Sequence, residues 1–196
     1  MRRQRVTRMF SSCIVRTMPS NIEIKARVDD PERLRRLAEA LSDTPAETIE
    51  QHDTFFPCSQ GRFKLRQFSP EAGELIFYSR ADVAGPKQSH YAIAPTSSPA
   101  SLLAVLSAAL GVQRTVTKTR VLLRVGQTRI HLDWVRGLGT FVELEVVLRD
   151  GQLPDEGDRI ARELMTALNI RECDLVEGAY ADLLPPEQTR NEEGKN

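Results

Sequence analysis

The sequence predicts an α+β fold. About eight mostly antiparallel strands close, or nearly close, into a barrel, with helices packed on its outside. Three observations carry this. Short segments that alternate polar and apolar residues follow one another, most of them joined by turn-forming residues, as in hairpin-linked strands. Three longer stretches carry apolar residues at helical spacing. Several strands also sort their charge onto one face, and burying such faces without partners would be very costly. A solvated, ion-binding interior with an apolar exterior under helices removes that cost.

The elements follow in order. Residues 20–28 alternate as a strand, with Asn21, Glu23, Lys25 and Arg27 on one face. Asp30 and Pro31 open a helix as N-cap and first helical residue, with Leu34, Leu37, Ala38 and Leu41 as its apolar stripe. Residues 47–56 form a strand of weaker pattern, and Pro57 to Gly61 a turn. Strands over 62–68 and 74–80 are joined by Ser69-Pro70-Glu71-Ala72-Gly73, and a strand over 87–94 follows the loop at Gly85-Pro86. Ser98-Pro99 opens a second helix with Leu102, Leu103, Leu106 and Leu110 on its apolar side, and Gly111 ends it. Strands over 112–125, 128–135 and 140–148 are separated by Gly126-Gln127 and Gly137-Leu138-Gly139. A third helix over 154–168 turns Ile160, Ala161, Leu164 and Leu168 inward. A short helix near 179–184 ends the ordered part. The domain is expected over 20–184, between an extension of residues 1–19 and a polar tail over 185–196.

Composition limits the function classes. The chain has 196 residues, and no run approaches the roughly 20 apolar residues of a membrane span. Residues 1–20 hold five arginines and no acid, which leaves 22 basic against 27 acidic residues in the remainder. A body that is net acidic argues against nucleic acid as the main partner. Cys13, Cys58 and Cys173 are far apart and offer neither a disulfide framework nor a zinc spacing. A reducing compartment, the cytoplasm, fits. Residues 1–18 have the composition of a mitochondrial transit peptide, with a disordered extension, or upstream sequence ahead of a start at Met18, as the alternative. The expected assembly is a monomer or homodimer.

The candidate chemistry sits on the strand faces. Glu143 and Glu145 share one face, and Glu23 can share a cavity with them. Such oxygen ligands suit Mg²⁺ or Mn²⁺. Lys25 and Arg27, Lys64 and Arg66, Lys118 and Arg120 with Arg124, and Arg80 would hold a polyphosphate by charge-assisted hydrogen bonds. Asp133 could orient a basic side chain or a water, or form a cross-strand ion pair. His52, His90 and His131 read as ordinary strand residues, and Trp134 as core.

Taken in order, these segments resemble a known family. Asn21-Ile22-Glu23-Ile24-Lys25 is similar to the E-x-E-x-K signature that opens the CYTH superfamily, the triphosphate tunnel metalloenzymes. Asp53-Thr54-Phe55-Phe56, Gly61 to Arg66, Tyr78-Ser79-Arg80, Lys118-Thr119-Arg120, His131-Leu132-Asp133 and Gly137 to Glu145 continue its order. Tyr180 to Leu184 looks like the closing segment of the class IV adenylyl cyclase-like branch. The resemblance implies an eight-stranded antiparallel tunnel, a divalent metal and a triphosphate substrate; Lys25 and Asp133 are the candidate catalytic residues. Asn21 departs from the pattern, standing where the family's first glutamate would be. The expected function is a metal-dependent phosphohydrolase acting on an inorganic or organic triphosphate. The alternatives are a class IV-type adenylyl cyclase and a non-catalytic polyphosphate-binding module.

Overall fold

The computed structural model describes residues 18–185, so the arginine-rich start and the last eleven residues lie outside the described part. Eight strands form a closed barrel: β1 (Ser20–Arg27), β2 (Glu47–Phe56), β3 (Arg62–Ser69), β4 (Ala72–Arg80), β5 (Lys87–Thr96), β6 (Arg114–Val125), β7 (Thr128–Val135) and β8 (Gly139–Val147). The order around the barrel is β1-β5-β4-β3-β2-β6-β7-β8, with β8 closing on β1 and every pair antiparallel. The β8–β1 seam pairs seven residues, whereas the β1–β5 seam pairs four, Ser20 to Glu23 with Lys87 to His90.

The period-2 alternation decides which side faces which solvent. Ile22, Ile24 and Ala26 of β1, Ile130 and Leu132 of β7, and Val142, Leu144 and Val146 of β8 point outward and are almost wholly buried. Two helices cover them: α1 (Pro31–Leu41) through Leu34 and Ala38, and α3 (Pro154–Ala167) through Ala161, Leu164 and Met165. Gly157 lets α3 approach closely, since a Cβ there would lie 2.6 Å from the Ile22 side chain. Over β1, β7 and β8 the barrel is therefore apolar outside and polar inside.

The other half is covered more thinly. α2 (Pro99–Leu110) rests on β2, β3 and β4, but Pro99 is its one buried residue. Leu102, Leu103 and Leu106 are half-buried, and the fourth residue of the expected stripe, Leu110, is exposed. This helix is apolar nearly all round, so its composition does not define an inward face. No helix among the described residues is long and apolar enough to cross a membrane.

After α3 the chain passes a short 3₁₀ turn and returns beside β1. The Val176 amide donates to Lys25 O at 2.8 Å, and Leu175 bridges Ala26. Gly178 then turns with φ of 73°, and α4 (Tyr180–Leu183) is laid across one end of the barrel. Arg62 fixes α4 from outside, donating to Asp182 and Asp82 at 2.7 Å each.

Candidate active site

The barrel encloses a cavity of about 290 Å³. Lys25, Lys64, Arg66, Arg80, Lys118 and Arg120 all line it, and Arg124 stands on its rim. Arg27 does not reach it. It has the same parity on β1 but lies at the strand's end, exposed, with its guanidinium over the Phe141 ring at 5.0 Å.

The cations are held by buried carboxylates. Asp53 on β2 accepts Lys64 Nζ at 2.7 Å and two nitrogens of Arg66 at 2.8 Å. The pairing of β2 with β3 places Asp53 directly opposite Arg66. Asp133 on β7 accepts Lys118 Nζ at 2.9 Å, Arg120 Nε at 2.7 Å and Arg120 Nη2 at 2.6 Å, and the Tyr180 hydroxyl at 3.0 Å. Burial alone would raise both aspartates; the charges of Arg66 and Lys64 around Asp53, and of Arg120 and Lys118 around Asp133, outweigh it and hold both ionised. Asp133 is fully buried with its oxygens occupied by these donors, and Arg120 is its register partner on β6, so the cross-strand ion pair open to it in sequence is formed. Burial, followed by the charge of Arg66, brings Lys64 down to about 7.

A second group of side chains lies beside these cations. One ligand atom from each of His131, Glu143 and Glu145 lies within 4.8 Å of the other two. His131 Nδ1 is 3.7 Å from a carboxylate oxygen of each glutamate and has no hydrogen-bond partner among the described residues. Burial and the nearby Arg120 lower its pKa, leaving the neutral imidazole that can ligate a metal. Burial would raise Glu143, but the Lys25 charge above all pulls it well below the carboxylate range. Two anionic carboxylates, a neutral imidazole and the orphaned, buried carbonyl oxygen of Asn21 on the same cavity wall form a donor set that suits a divalent cation.

Glu23 is not in that cluster. It faces Glu145 in register, but its carboxylate turns the other way, over β5, to an ion pair with Arg80 of β4. His131, read in sequence as an ordinary strand residue, takes the third place. The cue was its parity: it alternates with Arg129 and Asp133 on the charged face of β7.

Lys25 links the site to the closed end of the barrel. Its Nζ donates to Gly178 O at 3.0 Å, lies 3.4 Å from Glu143 Oε1, and sits 4.0 Å over the Tyr180 ring. Arg80 donates to the same Gly178 carbonyl at 2.9 Å. Burial lowers the Lys25 pKa, and Glu143 offsets part of that.

The comparisons with known proteins agree with this architecture. A family model described as the CYTH domain matches residues 20–180. Among curated protein sequences, none matches this chain. Among solved structures, the PH1012 protein of Pyrococcus horikoshii is similar at a TM-score of 0.75 and 22% identity, over 84% of this chain and 99% of that one. A Vibrio parahaemolyticus protein provisionally named an adenylate cyclase is similar at 0.68 and 18% identity, over 85% and 98%. A Hippeastrum protein described as a provisional adenylyl cyclase with a dominant triphosphatase activity is similar at 0.57 and 18% identity, over 83% and 93%. At these identities the structures establish a shared fold. With the family match over most of the chain, the closed antiparallel barrel and its cation-lined interior, this protein belongs to the CYTH domain family.

Proposed function

We propose that this protein is a metal-dependent phosphohydrolase acting on a triphosphate bound inside the barrel. The observation that carries this reading is the meeting, in one cavity, of six inward lysines and arginines with the His131, Glu143 and Glu145 cluster. Eight cationic side chains line the cavity against five carboxylates, an excess that suits a polyanion.

Each cation has a share in binding. Lys64 and Arg66, braced on Asp53, and Lys118 and Arg120, braced on Asp133, present charge to phosphate oxygens without further ordering. Arg80 and Lys25 exchange the Gly178 carbonyl for phosphate oxygens, and that exchange frees Glu23 from Arg80. His131, Glu143 and Glu145 would hold the Mg²⁺ or Mn²⁺, and Glu23, once freed, would add a carboxylate to them. When bound, the cation neutralises phosphate charge and polarises the phosphoryl group. A water oxygen then bonds to the terminal phosphorus, the bond from that phosphorus to its bridging oxygen breaks, and orthophosphate leaves with the water's hydroxyl while the other water proton goes to the oxygen left on the shortened chain. Lys25, beside Glu143 and within the lumen, stabilises the charge that develops on the transferring group.

Product analysis is the test. Purified protein with Mg²⁺ or Mn²⁺ should release orthophosphate from ATP or tripolyphosphate. Glu143→Gln or Glu145→Gln should lower kcat/KM by about a hundredfold or more, since metal assistance is worth several kcal/mol. Pyrophosphate and cyclic AMP as the products from ATP would replace hydrolysis by cyclisation. Tight tripolyphosphate binding without turnover would leave a binding module.

A further inference from the structure

The cavity has two unlike walls. Every lining residue from β1, β7 and β8 is polar or charged: Asn21, Glu23, Lys25, Arg129, His131, Glu143 and Glu145. The strands from β2 to β5 add a set that the phosphate chemistry does not use. Ile49, Phe68, Ile76, Tyr91 and Ile93 line the same space. None of the five belongs to the packed apolar clusters under the helices or around α4. Ile93 is 44% exposed even though its register partner Ile76 is buried. An apolar side chain on the inside of a charged, solvated barrel gains nothing from leaving the protein's core, so a cluster of them is the informative departure.

Phe68 adds an independent observation. The pairing of β3 with β4 slips by one residue between Gln67 and Ser69, so Phe68 is the extra residue of a β-bulge. Phe68 keeps the inward parity of Lys64 and Arg66 and carries an aromatic ring to the cavity wall where the regular pairing with β4 ends. Beside it, Glu74 also lines the cavity. Its register partner Arg66 is committed to Asp53, and Glu74 has no ion-pair partner among the described residues.

We infer that the β2–β5 wall is a subsite for a planar organic group, so that the substrate is an organic triphosphate and not the inorganic one. This rests on the triphosphate reading of the same cavity. The ring of the substrate stacks on Phe68 against Ile49, Ile76 and Ile93. An amino group on that ring donates to Glu74. The triphosphate extends from there to the cations of β3 and β6.

Binding of ATP, CTP and tripolyphosphate to the full chain, each with the same Mg²⁺, tests the proposal. The nucleotides should bind about tenfold tighter than tripolyphosphate, within the range one base–aromatic stack contributes. Phe68→Ala, at a half-buried position, should remove most of that advantage and leave tripolyphosphate affinity within about twofold. Ile93→Ser, at an exposed position, should do the same to a smaller extent. Glu74→Gln should weaken ATP and CTP and spare tripolyphosphate. Tripolyphosphate bound as tightly as either nucleotide, or variants that shift all three ligands equally, would overturn the organic subsite while leaving the triphosphate reading intact. If none of the three binds, the triphosphate reading fails and the subsite falls with it.

Discussion

Asp53 on β2 and Asp133 on β7 each hold one lysine and one arginine through short ion pairs inside the same barrel, yet their surroundings differ. Asp53 bonds only to its two cations, both from β3. Asp133 bonds to two cations from β6 and to the Tyr180 hydroxyl from α4, and Arg120 passes on to Glu143 at 2.6 Å. The first unit is a local brace within one hairpin. The second ties a basic pair to the His131, Glu143 and Glu145 cluster and to the helix that closes the barrel. A buried carboxylate under two cations is thus one solution used twice, and its consequences depend on what else it touches.

The largest effect is expected from Asp133→Asn. It keeps the shape and removes the charge that neutralises Lys118 and Arg120. Removing one partner of a buried ion pair typically costs about 3–5 kcal/mol. Urea unfolding should show a loss of that order, and turnover should fall with it because Arg120 no longer has a fixed position beside Glu143. An Asp133→Asn protein as stable as the wild type would mean that the second unit is no more integrated than the first.

Asp53→Asn should cost less, about 1–3 kcal/mol, the range for leaving a polar group short of a partner. The reason is Lys64. At a pKa of about 7 it can release its proton once Asp53 is neutral, and the Arg66 side chain is 13% exposed against 5% for Arg120. If denaturant midpoints place Asp53→Asn below Asp133→Asn, the ordering drawn from the contacts is wrong.

Much of this was legible in the sequence, for a definite reason. Period-2 alternation assigns each strand residue to a face without any knowledge of its neighbours, so the inward cations and the Glu143–Glu145 pair were visible along single segments. Register is not local. The Asp53–Arg66 pairing depends on how β2 meets β3, and the turn of Glu23 to Arg80 depends on closure through β5. His131 had the right parity, but a histidine on a strand face carries no sign of what stands 3.7 Å away on β8. Arg27 shows the converse error, since parity is shared along a strand that runs past the end of the cavity. The β3 bulge at Phe68 had no local signal, because its cause lies in the pairing with β4.

The pH dependence of binding sharpens the contrast between the two basic pairs. In the free protein Lys64 titrates near 7, so above that pH it is largely neutral. A bound polyphosphate favours the charged form and raises the pKa, so binding takes up a proton between the two values. Affinity is therefore lost as pH rises through about 7, by up to about tenfold per pH unit for a single group. Arginine does not deprotonate in this range. Tripolyphosphate affinity of the wild type relative to Lys64→Arg should be level near pH 6 and fall by about tenfold by pH 8. Calorimetry in buffers of different ionisation enthalpy should show the proton uptake in the wild type and lose it in the variant. A ratio that stays flat with pH would show that Lys64 is charged throughout and that Asp53 holds it as firmly as Asp133 holds its own pair.

The smallest effect belongs to Tyr180, the contact that Asp53 lacks. Tyr180→Phe removes one hydroxyl bond to Asp133 and keeps the ring between Lys25 at 4.0 Å and Lys118 at 4.9 Å. Asp133 keeps its charged donors, so no buried carboxylate oxygen is left bare. A hydrogen bond of this kind contributes about 0.5–1.5 kcal/mol net, and the loss should lie in that range. The double variant Asp133→Asn with Tyr180→Phe provides the check. If the hydroxyl acts through Asp133, the two losses should fall short of adding by about 0.5 kcal/mol or more, the coupling seen for residues in one network. Full additivity would mean that Tyr180 holds α4 by its ring alone. The second unit would then be a local brace like the first, joined to the closing helix only by packing.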